Sequence, residues 1–357
     1  MRSHVIPING MKIPYVRTGY ESMIPLKAGD KFVISALEDG VVLHSRKNDI
    51  EVQYKTLGKV KYRINDWTSK EESDACYTHV MKTDLKADDV FKKDDTLVYD
   101  STFFGPDIFN PGRVIYREGD IITIALTEDP QTYEDSASIS RKLSNRLGTT
   151  MTKVINIVME VKDNISDIKQ PGDKVLPSDP LLIITNQVLG DSGMDKKALE
   201  ILSSLNKQAP KAKYKGTINK IDIRYNAELE DMSRSVKDLV EKLDKISMEK
   251  YGYTNKVNDS FSHHGKPLLN GSMLIKIFLD VGYDMGIGDK AIFGNQLKFT
   301  VGEVYENDVK AEDGTPIEGF FSTRSIAARI VVSPYMIATT SMLLEKLGEL
   351  AVKEYFG

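Results

Sequence analysis

Residues 288–298 read GDKAIFGNQLK, with two glycines, one acid and two lysines in eleven residues. Glycine lets backbone N–H groups approach an anion closely, and lysine adds a point charge. The stretch suits phosphate, but it equally suits a turn between two strands. It lacks the G-x-x-x-x-G-K-[ST] order of a nucleotide-binding P-loop. Lys310, Arg324 and Arg329 follow, and Arg329 sits at the head of an apolar run, ARIVVS (328–333), that reads as a strand. A guanidinium at a strand mouth fits an ion pair or a bidentate phosphate contact. Upstream, YEDS carries the adjacent acids Glu134 and Asp135. In a strand these would point to opposite faces. In a loop both can face a metal or its water shell, and a solvated acidic pair is the plainer alternative. His263 and His264 are adjacent, without the i,i+4 spacing or third ligand of a metal site. Cys76 and His79 also lack a third partner.

The elements that must position these residues belong to a chain of 357 residues, long enough for two or three domains. With 41% hydrophobic and 28% charged residues, it belongs to the soluble globular class. A net charge of −4 argues against a free-standing nucleic-acid binder, while 48 Lys and Arg among 52 acids leave room for a local basic surface. A single cysteine excludes an internal disulfide and suits a reducing setting. The N-terminal MRSHVIPINGMKIPYV lacks the apolar core of a signal peptide. No run reaches the roughly 20 apolar residues of a membrane span.

Residues 1–150 read as short β-branched and aromatic strands, among them KFVISAL, GVVLHSR, IEVQYKTL and DTLVYD. A polar excursion spans 63–79, where Trp67 reads as part of a small local core. TYEDSASISRKLSNRL (132–147) runs from a loop or strand end into a helix. VINIVMEV (154–161), PLLIITNQ (180–187) and GTINKIDIRY (216–225) read as strands, and 194–207 and about 228–250 as helices. A C-terminal helix is expected after Pro334, with Met342, Leu343, Leu347, Leu350, Ala351 and Tyr355 on its buried side. Gly-Asp before an apolar pair recurs in AGDKFV, EGDIIT, PGDKVL and IGDKAI, a unit that suits a turn opening a strand.

Taken in order, the motifs resemble the C-terminal part of the β (second-largest) subunit of multisubunit DNA-dependent RNA polymerases. MRSHVIPINGMKIPYVRTGYE (1–21) is similar to the family's M-Q-R-Q-A-V-P…P-x-V-G-T-G-M-E. DGVVLHSRKNDIEV (39–52) is similar to D-G-V-V-x-Y-V…I-x-V, and YEDSASISRKL to Y-N-[FY]-E-D-[AS]-I-x-[IVL]-S-E-x-L. PGDKVLPSDPLLI (171–183) and YKGTINKIDI (214–223) resemble two β segments of the family's flap. SMLIKIFLDVGYDMGIGDKAIFGNQLK (272–298) is similar to a segment ending G-D-K-M-A-G-R-H-G-N-K. DGTPIEGFFSTRSIAAR (313–329) resembles D-G-T-P-V-D-I-V-L-N-P-L-G-V-P-S-R, with the arginine in register.

The resemblance implies a mainly β fold with some α: a double-psi β-barrel core interrupted by an inserted flap-like α+β domain. The first part of the barrel would span 1–150, the insertion 151–270, and the second part with the C-terminal helix 271–357. It implies that Lys290 contacts the RNA 3′ end and incoming nucleotide phosphates. The second family lysine falls on Lys298 by ungapped counting, or on the uncharged Gln296 if the Gly-Asn pair is matched. Arg329 would reach the triphosphate, and Glu134 and Asp135 would lie near a second metal. The N-terminal arginine is displaced by one position, to Arg2. The Mg2+ ions would be held mainly by a β′-like partner carrying the D-F-D-G-D triad, which this chain lacks. The other partners implied are an N-terminal β fragment, DNA template, nascent RNA and NTPs, with no membrane. The family's extreme C-terminal segment is also missing, as expected of a naturally split subunit like those of large bacteriophages, located in the host cytoplasm or the virion. A non-catalytic barrel protein for assembly or nucleic-acid binding is the competing expectation.

Overall fold

The computed structural model describes residues 7–69, 75–133, 135–186, 207–294, 297–328 and 332–356. All but the last residue of the helix expected over 194–207 lies outside them. The chain is mainly β with few helices. It divides into two compact units: Met1–Trp67, His79–Thr150 and Tyr283–Gly357 in the first, Thr68–Thr78 and Met151–Gly282 in the second. Among the described residues no helix is long and apolar enough to cross a membrane.

In the first unit, strands Gly40–Ser45, Asp49–Tyr54 and Gly58–Arg63 form an antiparallel meander, extended on one edge by Val90–Phe91. Period-2 alternation buries Ile50, Val52 and Tyr54 along one face of the middle strand, against Val42, Phe91 and Leu97. Trp67 stacks on His79 with ring centroids 3.8 Å apart, and its indole N–H donates to the Lys31 carbonyl. The His79 Nδ1 lies 2.6 Å from the buried Asp100 Oδ2. Trp67 is thus part of a local core, as its isolation in a polar stretch suggested.

A second sheet of this unit is mixed. Its order is Ile124–Leu126, Gly319–Phe321, Ser136–Ser140, Leu297–Tyr305, Lys290–Phe293. Two pairings are parallel, Ile124 opposite Gly319 and Ser136 opposite Thr300. Parallel neighbours cannot be joined by a tight turn, and here each pair joins segments far apart in sequence. Leu143, Leu297, Phe299, Val301, Phe321 and Ile326 fill the core against this sheet. The register between Ser136–Ser140 and Leu297–Tyr305 shifts at Gly302: Val301 faces Ala137 and Glu303 faces Ser138. Glycine is required there, because a Cβ would lie 2.3 Å from Ser136 Oγ and 3.0 Å from the Gln131 carbonyl oxygen.

The second unit is built on a sheet ordered Lys174–Val175, Gly216–Asn226, Ser272–Tyr283, Thr149–Glu160, Ala75–Cys76. Helix Arg234–Tyr251 buries Val236 and Val240 and stops at Gly252, which adopts φ 80°. It starts later than the expected 228, because Leu229–Asp231 forms a 3₁₀ turn and Ser233 caps the helix by accepting the Val236 N–H.

One expectation near the C-terminus is overturned. The helix Ser333–Phe356 exists, but Met342, Leu343, Leu347, Leu350, Ala351 and Tyr355 are all exposed. Helical periodicity reports an apolar face and not what covers it. The strand expected over ARIVVS (328–333) falls mainly on 329–331. Ala328 caps the short helix Thr323–Ala327 with helical φ and ψ, Ser333 begins the next helix, and 329–331 lie outside the described residues.

Candidate functional site

The two lysines of the opening stretch stand on one antiparallel hairpin, Lys290–Phe293 against Leu297–Tyr305. Lys290 faces Thr300, and Lys298 faces Ile292. Directly opposed residues share a face of the sheet, so Lys290, Ile292, Lys298 and Thr300 point one way. Lys290, Ile292 and Lys298 are exposed, and Leu297, Phe299 and Val301 on the other face are buried. The apolar alternation of AIF and LKFTV thus forces both ammonium groups outward together.

A closed turn fixes where the hairpin begins. The Asp289 carboxylate accepts the Gly286 N–H at 2.8 Å, and the Asp289 N–H donates to the Gly286 carbonyl. Gly288 takes φ 92° and exchanges bonds with the neighbouring strand, its N–H to the Val301 carbonyl and the Val301 N–H to the Asp289 carbonyl. Asp289 is therefore committed to the backbone and leaves Lys290 at the first ladder position.

Asp135 lies beside this hairpin. Its carbonyl accepts the Thr300 N–H at 2.9 Å, and its own N–H donates to Ser325 Oγ at 3.2 Å. Its φ is 65°, the left-handed region that Asp tolerates better than most residues. The row across the sheet is Ser136, Thr300 and Lys290, and Asp135 precedes it by one residue, bonded to Thr300 through its backbone carbonyl. Ser325 belongs to helix Thr323–Ala327, capped by Ser322. Glu128 accepts from the hydroxyls of Thr323 and Ser322 and from the Arg324 N–H. The Thr323 bond is the chief cause that holds the Glu128 carboxyl below the usual range. The helix start is thereby tied to the strand end that precedes Asp135.

Lys290 and Lys298 share one face, and Asp135 adjoins their hairpin through its backbone. Arg2, Glu134, Gln296 and Arg329 lie outside the described residues. Arg324 lies 3.9 Å from Glu128 across an exposed ion pair, and Lys310 pairs through its strand with Pro316, away from this hairpin's ladder. Thr300, Ser325 and Glu128 were not singled out from the sequence. Asp135 and Ser325 are 190 residues apart, and nothing local marks either serine or threonine as their link. Among the described residues no three His, Cys, Asp or Glu side chains cluster as a metal set. The chain matches no protein-family model and no curated protein sequence.

Proposed function

We propose that this chain is a C-terminal β fragment of a multisubunit DNA-dependent RNA polymerase, built on a double-psi barrel with an inserted flap-like domain. The observation that carries the reading is the pair Lys290 and Lys298 on one exposed hairpin face, beside the Asp135 turn. Two ammonium groups held on a rigid ladder suit the RNA 3′ end and nucleotide phosphates, because phosphoryl-type transfer is catalysed by positioning and charge neutralisation. Lys298 supplies the second cation that Gln296 cannot. By the resemblance, Arg329 would reach the triphosphate, Glu134 and Asp135 would lie near the second metal, and Arg2 would contribute to nucleic-acid binding. The mixed sheet and the interruption of the first unit in sequence by 151–282 support the barrel-with-insertion reading.

Mg2+ would be held by a β′-like partner and would supply charge neutralisation at the transferred phosphoryl group. The chain is then inactive by itself and works with that partner, an N-terminal β fragment, template DNA, RNA and NTPs, in a host cell or a virion. The test is to purify the chain with its natural partners, identify one that carries D-x-D-x-D, and assay nucleotide incorporation. A complex that transcribes at full rate with both Lys290 and Lys298 replaced by alanine would sink the catalytic reading. Gln296 and the net charge of −4 favour the second reading, a non-catalytic assembly or nucleic-acid-binding subunit.

A further inference from the structure

The second unit carries a separate group of cations on its central sheet. Along Gly216–Asn226, Lys220, Asp222 and Arg224 alternate with buried Ile221, Ile223 and Tyr225. In the antiparallel ladder with Ser272–Tyr283, Asp222 faces Lys276, Lys220 faces Phe278 and Arg224 faces Leu274. Facing residues share a side of the sheet, so three cations and one acid meet on adjacent rungs. The acid is already engaged, since Lys220 Nζ lies 3.2 Å from Asp222 Oδ2. Lys220 also sits 4.3 Å from the centre of the Phe278 ring. Arg224 Nη1 donates to Asn255 Oδ1 at 2.5 Å and to the Ile223 carbonyl at 2.7 Å, which directs one edge of the guanidinium and leaves other N–H groups for a ligand.

Lys276 is the anomaly. It is half-buried, and among the described residues its ammonium has no hydrogen-bond or ion-pair partner. Burial is the main cause that holds it below the ordinary lysine range, and Arg224 and Lys220 add to the effect against Asp222. A partly desolvated charge among like charges is costly when the one acid facing it is already shared with a second cation, here Lys220. An added anion would remove that cost.

We propose that this face of the second unit is a phosphate-binding site, with Lys276, Lys220 and Arg224 as its cationic contacts. Phosphate is favoured over a carboxylate because one phosphate group offers more than one negative charge and several acceptor oxygens to three cations on neighbouring rungs. A ligand would enter from the side of Lys220 and Asp222, whose side chains are 35% and 38% exposed. The site uses none of the residues of the hairpin site and stands whether or not the polymerase reading holds. The phosphate source can be a free ion or the backbone of a nucleic acid, and the two differ in concentration dependence.

The experiment is competitive acylation of the full chain with an amine-reactive reagent at neutral pH, read by peptide mass spectrometry. The exposed Lys162 of the same unit serves as reference. The rate at each lysine in chloride is the baseline. Inorganic phosphate at matched ionic strength is expected to slow Lys276 by about fivefold or more and leave Lys162 unchanged, since a bound anion favours the protonated amine. Lys220→Met with Arg224→Met is expected to abolish that protection. A single-stranded oligonucleotide that protects at far lower concentration than phosphate assigns the backbone as the source. Equal reactivity of Lys276 with and without phosphate or oligonucleotide overturns the proposal in the wild-type chain, whatever the variants do. Protection by polyglutamate but not by phosphate also overturns it, in favour of an acidic protein partner.

Discussion

Lys290 and Lys298 occupy the same exposed face of one antiparallel ladder, Lys290 opposite Thr300 and Lys298 opposite Ile292, with the inward-facing Ala291–Phe299 rung between them. Diagonal neighbours of this kind lie roughly 7–8 Å apart at the backbone, within reach of one polyphosphate for side chains as long as lysine. The face is rigid because its reverse side is core.

The first prediction concerns that face. In a reconstituted complex, Lys290→Ala and Lys298→Ala are each expected to lower nucleotide incorporation by about 10²–10³-fold, the usual loss for one oriented charge or donor in a transition state. Ile292→Glu puts a carboxylate opposite Lys298 without touching either lysine. It is expected to raise the KM for nucleotide roughly tenfold, equivalent to about 1.4 kcal/mol. An unchanged KM in Ile292→Glu would show that the face does not meet nucleotide phosphates.

Ser325 is expected to hold the Asp135 turn. Ser325→Ala removes the acceptor of the Asp135 N–H, at a cost of about 1 kcal/mol for one partly buried hydrogen bond. Amide exchange is the direct measurement. The Asp135 amide should exchange faster in the variant, while strand Asp49–Tyr54 of the same unit keeps its protection. Equal exchange at Asp135 in both proteins would remove Ser325 from the site.

The turn that starts the hairpin shows what was legible in the sequence. In PGDKVL and IGDKAI, glycine takes a positive φ and the Asp carboxylate accepts the N–H three residues back, Gln170 in one and Gly286 in the other. Three further segments make the same turn without glycine. Asp88–Asp89, Asp94–Asp95 and Ser178–Asp179 place Asp or Ser at the positive-φ position, and the final Asp accepts from Lys86, Lys92 and Leu176. Reading Gly-Asp found the device where glycine relieved the strain and missed it where Asp or Ser bore it. Gly119–Asp120, by contrast, has its carboxylate bound to Lys12 and Arg146. The hairpin was legible because its alternation is local. The backbone link from Asp135 to Thr300, and so to the rung of Lys290, was not, because parallel pairing unites segments that share no local pattern. The exposed face of Ser333–Phe356 was misread because periodicity cannot say what lies opposite a stripe.

Ser178→Gly follows from this comparison. Ser178 holds φ 76° while its N–H donates to the Ala212 carbonyl. A non-glycine residue in the left-handed region costs about 1–2 kcal/mol, and the added freedom of glycine in the unfolded chain offsets part of the gain. The variant is expected to be more stable by about 0.5–1 kcal/mol in urea unfolding. A loss of stability would mean that the Ser178 side chain contributes more than its backbone strain costs.

Gly302→Ala is expected to act in the opposite direction. The new methyl group would meet Ser136 Oγ at 2.3 Å and the Gln131 carbonyl at 3.0 Å, so strand Leu297–Tyr305 must shift, at about 1–3 kcal/mol. Ser136→Ala in the same chain removes the nearer obstacle but leaves the carbonyl, and should restore part of the loss. Full additivity of the two substitutions would show that they do not meet.

Acid sensitivity is expected at Asp120. Burial pushes its carboxyl upward, but hydrogen bonds from Lys12 and Arg146 outweigh burial and hold it below the usual range. A lowered folded value means that the stabilisation is fully present above the unfolded value of about 3.9 and is lost as pH falls through the folded value. Arg146→Met removes one cation from a carboxylate whose side chain is 2% exposed. Because Arg146 is itself 41% exposed, solvent screens the pair and the expected cost at pH 7 is about 1–2 kcal/mol, less than for a fully buried pair. As pH falls toward the lowered folded value of Asp120 the difference between variant and wild type should shrink, so urea unfolding at neutral pH and again in acid, below the unfolded value of about 3.9, is the comparison to make. A difference that stays the same at both would assign the loss to packing of the Arg146 side chain and not to its charge.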